Sequence, residues 1–165
     1  MLLTEFHGTE TVDLTVPAPD VFALLVDVDR MTEWNDHLHH VVEAPSGPLV
    51  EGAEWVLEMR AMGTRWPSRA RALRVDPDGL AFEHRSVTDD GNPSYVLWSW
   101  QVLPRAEGST LMVTWTVHPR TFWRRLLLAR VRRGFLADEV RASLAGLDTY
   151  LATAHAASRG TGQDS

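Results

Sequence analysis

The sequence predicts an α+β fold: a seven-stranded antiparallel sheet curved around one long C-terminal helix, with two short helices after the first strand. Three observations carry that expectation. The stretch from Thr121 to about Thr153 has the apolar spacing of a helix. The segments before it alternate with period two between turn residues. Their apolar faces carry large aromatic side chains, so a sheet gripping that helix leaves a space between them.

Taken in order, Val12, Leu14 and Val16 alternate with Thr11, Asp13 and Thr15 and predict the first strand. Pro17-Ala18-Pro19-Asp20 ends it and opens a helix with Pro19 near its first position, and Phe22, Leu25 and Val26 form its apolar side. A second short helix spans about Asp29 to Trp34, and Leu38 to Ala44 is the next strand. Trp55, Leu57 and Met59 alternate with Glu54, Glu58 and Arg60. Trp66 to Val75 is an arginine-rich strand closed by the turn Asp76-Pro77-Asp78-Gly79. Leu80, Phe82 and His84 share a face of the following strand. Val96, Trp98, Trp100 and Val102 share a face of the next, and Leu111, Val113, Trp115 and Val117 of the last. In the helix, Val140, Leu144, Leu147 and Leu151 continue a stripe that runs back through Leu136 to Leu126 and Phe122, with Arg130 and Arg133 on or beside it. A straight helix over this stretch would be roughly 50 Å long, so a bend or break is expected, at Gly134.

Composition narrows the function classes. The 165 residues show no internal repeat and predict a single domain over 1–157, followed by a small, polar, disordered tail over 158–165. With no cysteine, disulfides, thiolate nucleophiles and cysteine-based metal centres are excluded. A net charge of −6 argues against nucleic acid as the main partner. No run is long and apolar enough to span a membrane, and the N-terminus lacks the pattern of a secretory signal, so a cytoplasmic protein, monomer or homodimer, is expected. Seven tryptophans against two tyrosines stand out, since an indole covers much apolar area and suits a large core or a wall around a flat ligand.

The segments VPAPDVFALLVDVDRMTEWNDHLHHV, EGAEWVL, LRVDPDGLAFEH, SWQVLPRAEGSTLMVTW and RASLAGLDTYL, in this order, resemble the START-like, helix-grip (SRPBCC) superfamily, which includes the Bet v 1-like and polyketide cyclase/dehydrase-like proteins. The likeness covers about residues 9–153. It implies an internal cavity for an apolar or aromatic small molecule. Members range from aromatase/cyclases to lipid carriers and receptors, so two functions stand side by side: a cofactor-independent cyclase or dehydratase, and a non-catalytic carrier or sensor. Aromatase/cyclase members often use cavity tyrosines and arginines; Tyr95 and Tyr150 are the only tyrosines here and neither matches such a role.

Trp34, Trp55, Trp98, Trp100 and Trp115 are placed to line the cavity. Leu57, Met59 and Phe82 on the same strand faces, with Leu126 and Arg130 of the helix, complete the expected ligand contacts. Within it, His84 is the candidate general acid or base for an enolisable ketone; the bland alternative is a core histidine bonded to backbone. Arg69 and Arg71 share one face of their strand and Ser68, Ala70 and Ala72 the other. If the arginines face inward they polarise a substrate carbonyl, and if outward they are a solvated stripe; a bulge before the Asp76-Pro77 turn would reverse either assignment. His37, His39 and His40 resemble metal ligands, and on a strand His37 and His39 would share a face, but no third ligand of fitting spacing is visible, so neither metal nor cofactor is expected. Asp89-Asp90-Gly91-Asn92 lacks the distal glutamate of a calcium loop and reads as a turn.

Overall fold

The structure, a computed structural model, describes residues 5–61, 63–121 and 129–160. The elements follow as β1 (Phe6–Leu14), α1 (Ala18–Leu25), a 3-10 turn (Val28–Arg30) running into α2 (Met31–Trp34), β2 (Leu38–Glu43), β3 (Glu54–Ala61), β4 (Thr64–Asp76), β5 (Ala81–Thr88), β6 (Tyr95–Pro104), β7 (Ser109–His118) and α3 (Ala129–Gly160). All seven strands form one antiparallel sheet in the order β1-β7-β6-β5-β4-β3-β2. The first strand therefore pairs with the last, and β1 and β2 are the two edges. This is the predicted architecture.

The period-two pattern does the sorting. Along β7, Leu111, Val113 and Trp115 are buried while Met112, Thr114 and Thr116 are half-buried. On α3, Leu136, Val140, Leu144, Leu147 and Leu151 are all buried against the sheet, as the stripe requires. Two glycines allow close approaches. Gly8 of β1 lies opposite Trp115, and a Cβ there would fall 2.2 Å from the indole. Gly146 of α3 lies over α2, where a Cβ would meet the carbonyl oxygen of Trp34 at 2.4 Å. The same junction is tied at the surface, where Glu33 and Arg30 both hydrogen-bond to the Tyr150 hydroxyl.

Several local expectations are corrected. The helix expected over Asp29–Trp34 is a 3-10 turn followed by a single α-turn, as suits so short a segment. Leu80 does not join the face of Phe82 and His84: it adopts φ 51° in the turn, and β5 begins at Ala81. Helix α3 is 32 residues long, about 48 Å, and passes through Gly134 without interruption. It also takes in Ser158 to Gly160, the start of the expected tail, while 161–165, like Phe122 and Leu126, lie outside the described residues. No helix among the described residues is long and apolar enough to cross a membrane.

Trp115 is 4% exposed and its indole occupies the space left by Gly8, so Trp115→Ala is expected to lower stability by about 3–5 kcal/mol, read from urea unfolding. A loss under 1 kcal/mol would show that the indole is not part of the packed core.

Candidate functional site

The cavity exists because one strand offers small side chains where its neighbours offer large ones. The inner face of β4 is Ser68, Ala70 and Ala72, and Ala70 and Ala72 are buried. Beside it β5 presents Phe82 and His84, β6 presents Trp98 and Trp100, and β3 presents Trp55 and Leu57. Helix α3 closes the space with Leu136 and Val140, and α2 closes the end with Met31 and Trp34. The enclosed volume is about 140 Å³, comparable with the ~150 Å³ apolar cavities that hold a benzene ring.

One end of the cavity is polar. Asn35, His37, Glu139 and Ser143 meet there, where the loop after α2 crosses α3. The Ser143 hydroxyl and the His37 backbone N–H both donate to Asn35 Oδ1, at 3.0 and 3.1 Å. His37 Nε2 is buried without a partner, and His37 and Glu139 also border an outer groove lined by Arg60 and Arg65 of the β3–β4 hairpin. They thus stand between the cavity and the outer groove.

His84 sits at the aromatic end. Its ring lies 5.0 Å from Phe82, 5.5 Å from Trp55, 6.1 Å from Trp98 and 6.5 Å from Trp100, centroid to centroid. The arrangement follows from register: His84 pairs directly with Trp98, and Phe82 with Trp100. The imidazole is half-buried and lines the cavity among these four aromatic rings. Desolvation is the only cause acting on it and pushes its pKa down to about 3, so the ring is neutral at physiological pH. Among the described residues its Nδ1 has no hydrogen-bond partner, and neither do the indole nitrogens of Trp34 and Trp100. Trp98 Nε1, by contrast, donates to Ser86 Oγ at 2.9 Å.

Of the residues proposed from sequence, Trp34, Trp55, Leu57 and Met59 line the cavity, as do Phe82, His84, Trp98 and Trp100. Trp115 does not: it packs behind Trp98, at 6.2 Å between ring centroids, over Gly8. Leu126 and the side chain of Arg130 lie outside the described residues. Arg69 and Arg71 are on the outer face. Arg69 pairs with Glu43 and Asp89, each at 3.3 Å, and Arg71 with Glu54 at 3.9 Å. The β4 bulge is real, but it falls between Ala72 and Arg74, beyond both arginines, and cannot turn them inward. Tyr150 joins α2 to α3, and Tyr95 stacks on His118 at 4.5 Å; neither borders the cavity. Asn35, Ser143 and Glu139 were missed as site residues. Ser143 lies three residues after Val140 on the helical stripe, which was the available signal.

The sequence matches the family described as polyketide cyclase/dehydrase and lipid transport over residues 5–152. No curated protein gives a significant match. Among solved structures, the Zhui aromatase/cyclase from Streptomyces sp. R1128 superposes with a TM-score of 0.73 at 21% identity, covering 96% of this chain and 98% of that one. The di-domain ARO/CYC BexL from the BE-7585A biosynthetic pathway gives a TM-score of 0.72 at 19% identity, with 89% of this chain on 50% of that one. Ara h 8.0201 gives 0.68 at 15% identity over 90% of this chain and 99% of that one. At these identities the likeness is one of fold.

The His84 shift makes a pH prediction. Below an ordinary histidine pKa of ~6.5 the unfolded chain takes up a proton that the folded chain refuses, down to about 3. Stability is therefore lost as pH falls through that window. By pH 5 the loss due to His84 is ~2 kcal/mol. Urea unfolding at pH 8 and pH 5 should show this increment in the wild type and not in His84→Phe; an equal acid loss in both would place the titrating group elsewhere.

Proposed function

The chain belongs to the polyketide cyclase/dehydrase and lipid transport family, and from that premise we propose that its cavity binds a small aromatic molecule bearing oxygen acceptors and dehydrates or cyclises it. The observation that carries this reading is the set of unpartnered polar atoms on the cavity residues: His84 Nδ1, Trp34 Nε1 and Trp100 Nε1. A buried polar group without a partner costs about 1–3 kcal/mol. A purely hydrocarbon ligand leaves that cost in place, whereas a carbonyl or phenol oxygen removes part of it. The volume of about 140 Å³ sets the scale of what enters: one ring, or one ring of a longer molecule that extends past His37 and Glu139.

The chemistry follows from a neutral imidazole in a water-poor site. On a β-hydroxy ketone, the His84 lone pair takes the proton α to the carbonyl, and an indole N–H holds the oxygen on which the enolate charge develops. The imidazolium so formed returns its proton to the β-hydroxyl, which leaves as water while the carbon–carbon double bond forms. In the empty site His84 is too weak a base for this step, but negative charge growing beside the ring raises its pKa as the proton is transferred. Arg69 and Arg71 take no part, because they lie on the opposite face of the sheet.

A carrier is the second reading, and one observation favours it. Among the described residues lining the cavity there is no arginine, so no cation is at hand to polarise a carbonyl.

Titration of tryptophan fluorescence tests the ligand class. 2-Hydroxyacetophenone should bind at least ~10-fold more tightly than ethylbenzene, the worth of one good hydrogen bond. Equal affinity removes the acceptor argument, and tighter binding of decanoate removes the aromatic-ring argument in favour of a fatty-acid carrier. For catalysis, His84→Gln should lower dehydration of a β-hydroxy aryl ketone by ~10²-fold with binding held within a few-fold. Arg69→Gln should leave both unchanged. Wild-type protein that binds the ketone without turning it over supports the carrier.

A further inference from the structure

On the outer face of the sheet, we propose that His39, His40 and Glu58 form a binding site for a divalent transition-metal ion of the zinc type, separate from the ligand cavity. The arrangement depends on a bulge. Leu38 pairs with Met59 and His40 with Glu58, so His39 is an extra residue in β2. A regular strand sends successive side chains to opposite faces, and a bulge lets two neighbours share one. Both imidazoles consequently stand exposed on the same side of the edge strand, over Glu58 of β3.

Two nitrogens converge on a single carboxylate oxygen. His40 Nδ1 lies 3.1 Å from Glu58 Oε2 and His39 Nε2 lies 3.7 Å from it. One candidate ligand atom from each residue falls within 4.8 Å of the other two. Ligands around a tetrahedral zinc at ~2.1 Å stand roughly 3.4 Å apart, so small rotations of two exposed imidazoles and the half-buried Glu58 side chain close the set. Two neutral imidazoles and one carboxylate suit zinc and its neighbours, and the remaining positions would be filled by water. Calcium and magnesium, which take oxygen ligands, do not fit this donor set.

The third ligand is invisible along the sequence because it comes from the neighbouring strand, and the pair is His39 with His40 rather than His37 with His39. His37 lines the polar end of the cavity instead. The inner faces of the same two strands carry Leu38, Leu57 and Met59 of the cavity wall. Metal on the outer face would thus brace an edge of the sheet whose inner side touches the ligand.

The test is titration of the full chain with zinc chloride by calorimetry after treatment with a chelator. One saturable site is expected. His39→Ala, His40→Ala and Glu58→Gln should each weaken it by more than the ~10–100-fold that loss of a mere supporting partner costs, while His7→Ala, on the far edge strand, leaves it unchanged. In the unmodified protein, the imidazole resonances of His39 and His40 should move on zinc addition and that of His155 should not. Absence of saturable binding, binding that survives Glu58→Gln and His39→Ala, or resonance shifts confined to other histidines each overturn the assignment. None of these readouts involves the cavity ligand.

Discussion

The structure depends on an imbalance of side-chain size across the inner face of one sheet. That face would fill with Trp, Phe and Leu if every strand were alike, and α3 would simply lie on it. Instead Ser68, Ala70 and Ala72 form a shallow strip between the aromatics of β3 and those of β5 and β6. Helix α3 spans the strip instead of filling it: Gly146 lies directly over the Trp34 carbonyl of α2, and Leu136 and Val140 close the space. Voids in protein interiors are expensive, since their lining atoms lose contacts that a packed core would supply. A void kept between large, stiff side chains is a feature that the fold maintains against that cost.

Much of this was legible in the chain because alternation and helical spacing are local properties. Trp98 and Trp100 face the cavity for the same reason that Leu97 and Ser99 do not, and six residues suffice to read it. What failed were the inferences that needed more than one strand. Arg69 and Arg71 have the right chemistry for a carbonyl site, and only burial of Ala70 and Ala72 decides that they point outward, where Glu43, Glu54 and Asp89 meet them. Trp115 has the right side chain and the right phase. It is removed from the cavity wall by Gly8, a residue more than a hundred positions away in sequence that β1 brings opposite it. Glu58 was read as one polar residue in an alternating strand, and the bulge that turns two histidines toward it leaves no mark in residue type. The polar end of the cavity escaped notice likewise, since Asn35 and Ser143 meet only where a loop crosses a helix.

His84 shows how far environment can shift a group from the role its residue type suggests. Histidine draws attention because its ordinary pKa lies near neutrality, yet four aromatic neighbours remove that property and leave a neutral ring with pKa about 3. What remains is a polar atom pair in an apolar box. Its Nδ1, with Trp34 Nε1 and Trp100 Nε1, is covered by surrounding atoms as well as unpartnered, so a ligand reaches these groups only if the wall gives. Met31 and Met59 are the wall residues best able to do so, being unbranched and readily repacked. A ligand that displaces them without supplying acceptors would open the box and leave the same atoms unsatisfied. One that supplies an oxygen gains what the empty site lacks, and the gain grows as negative charge collects on that oxygen. On the proposed reading, binding of an oxygen-bearing ring and stabilisation of its enolate would be two degrees of one interaction.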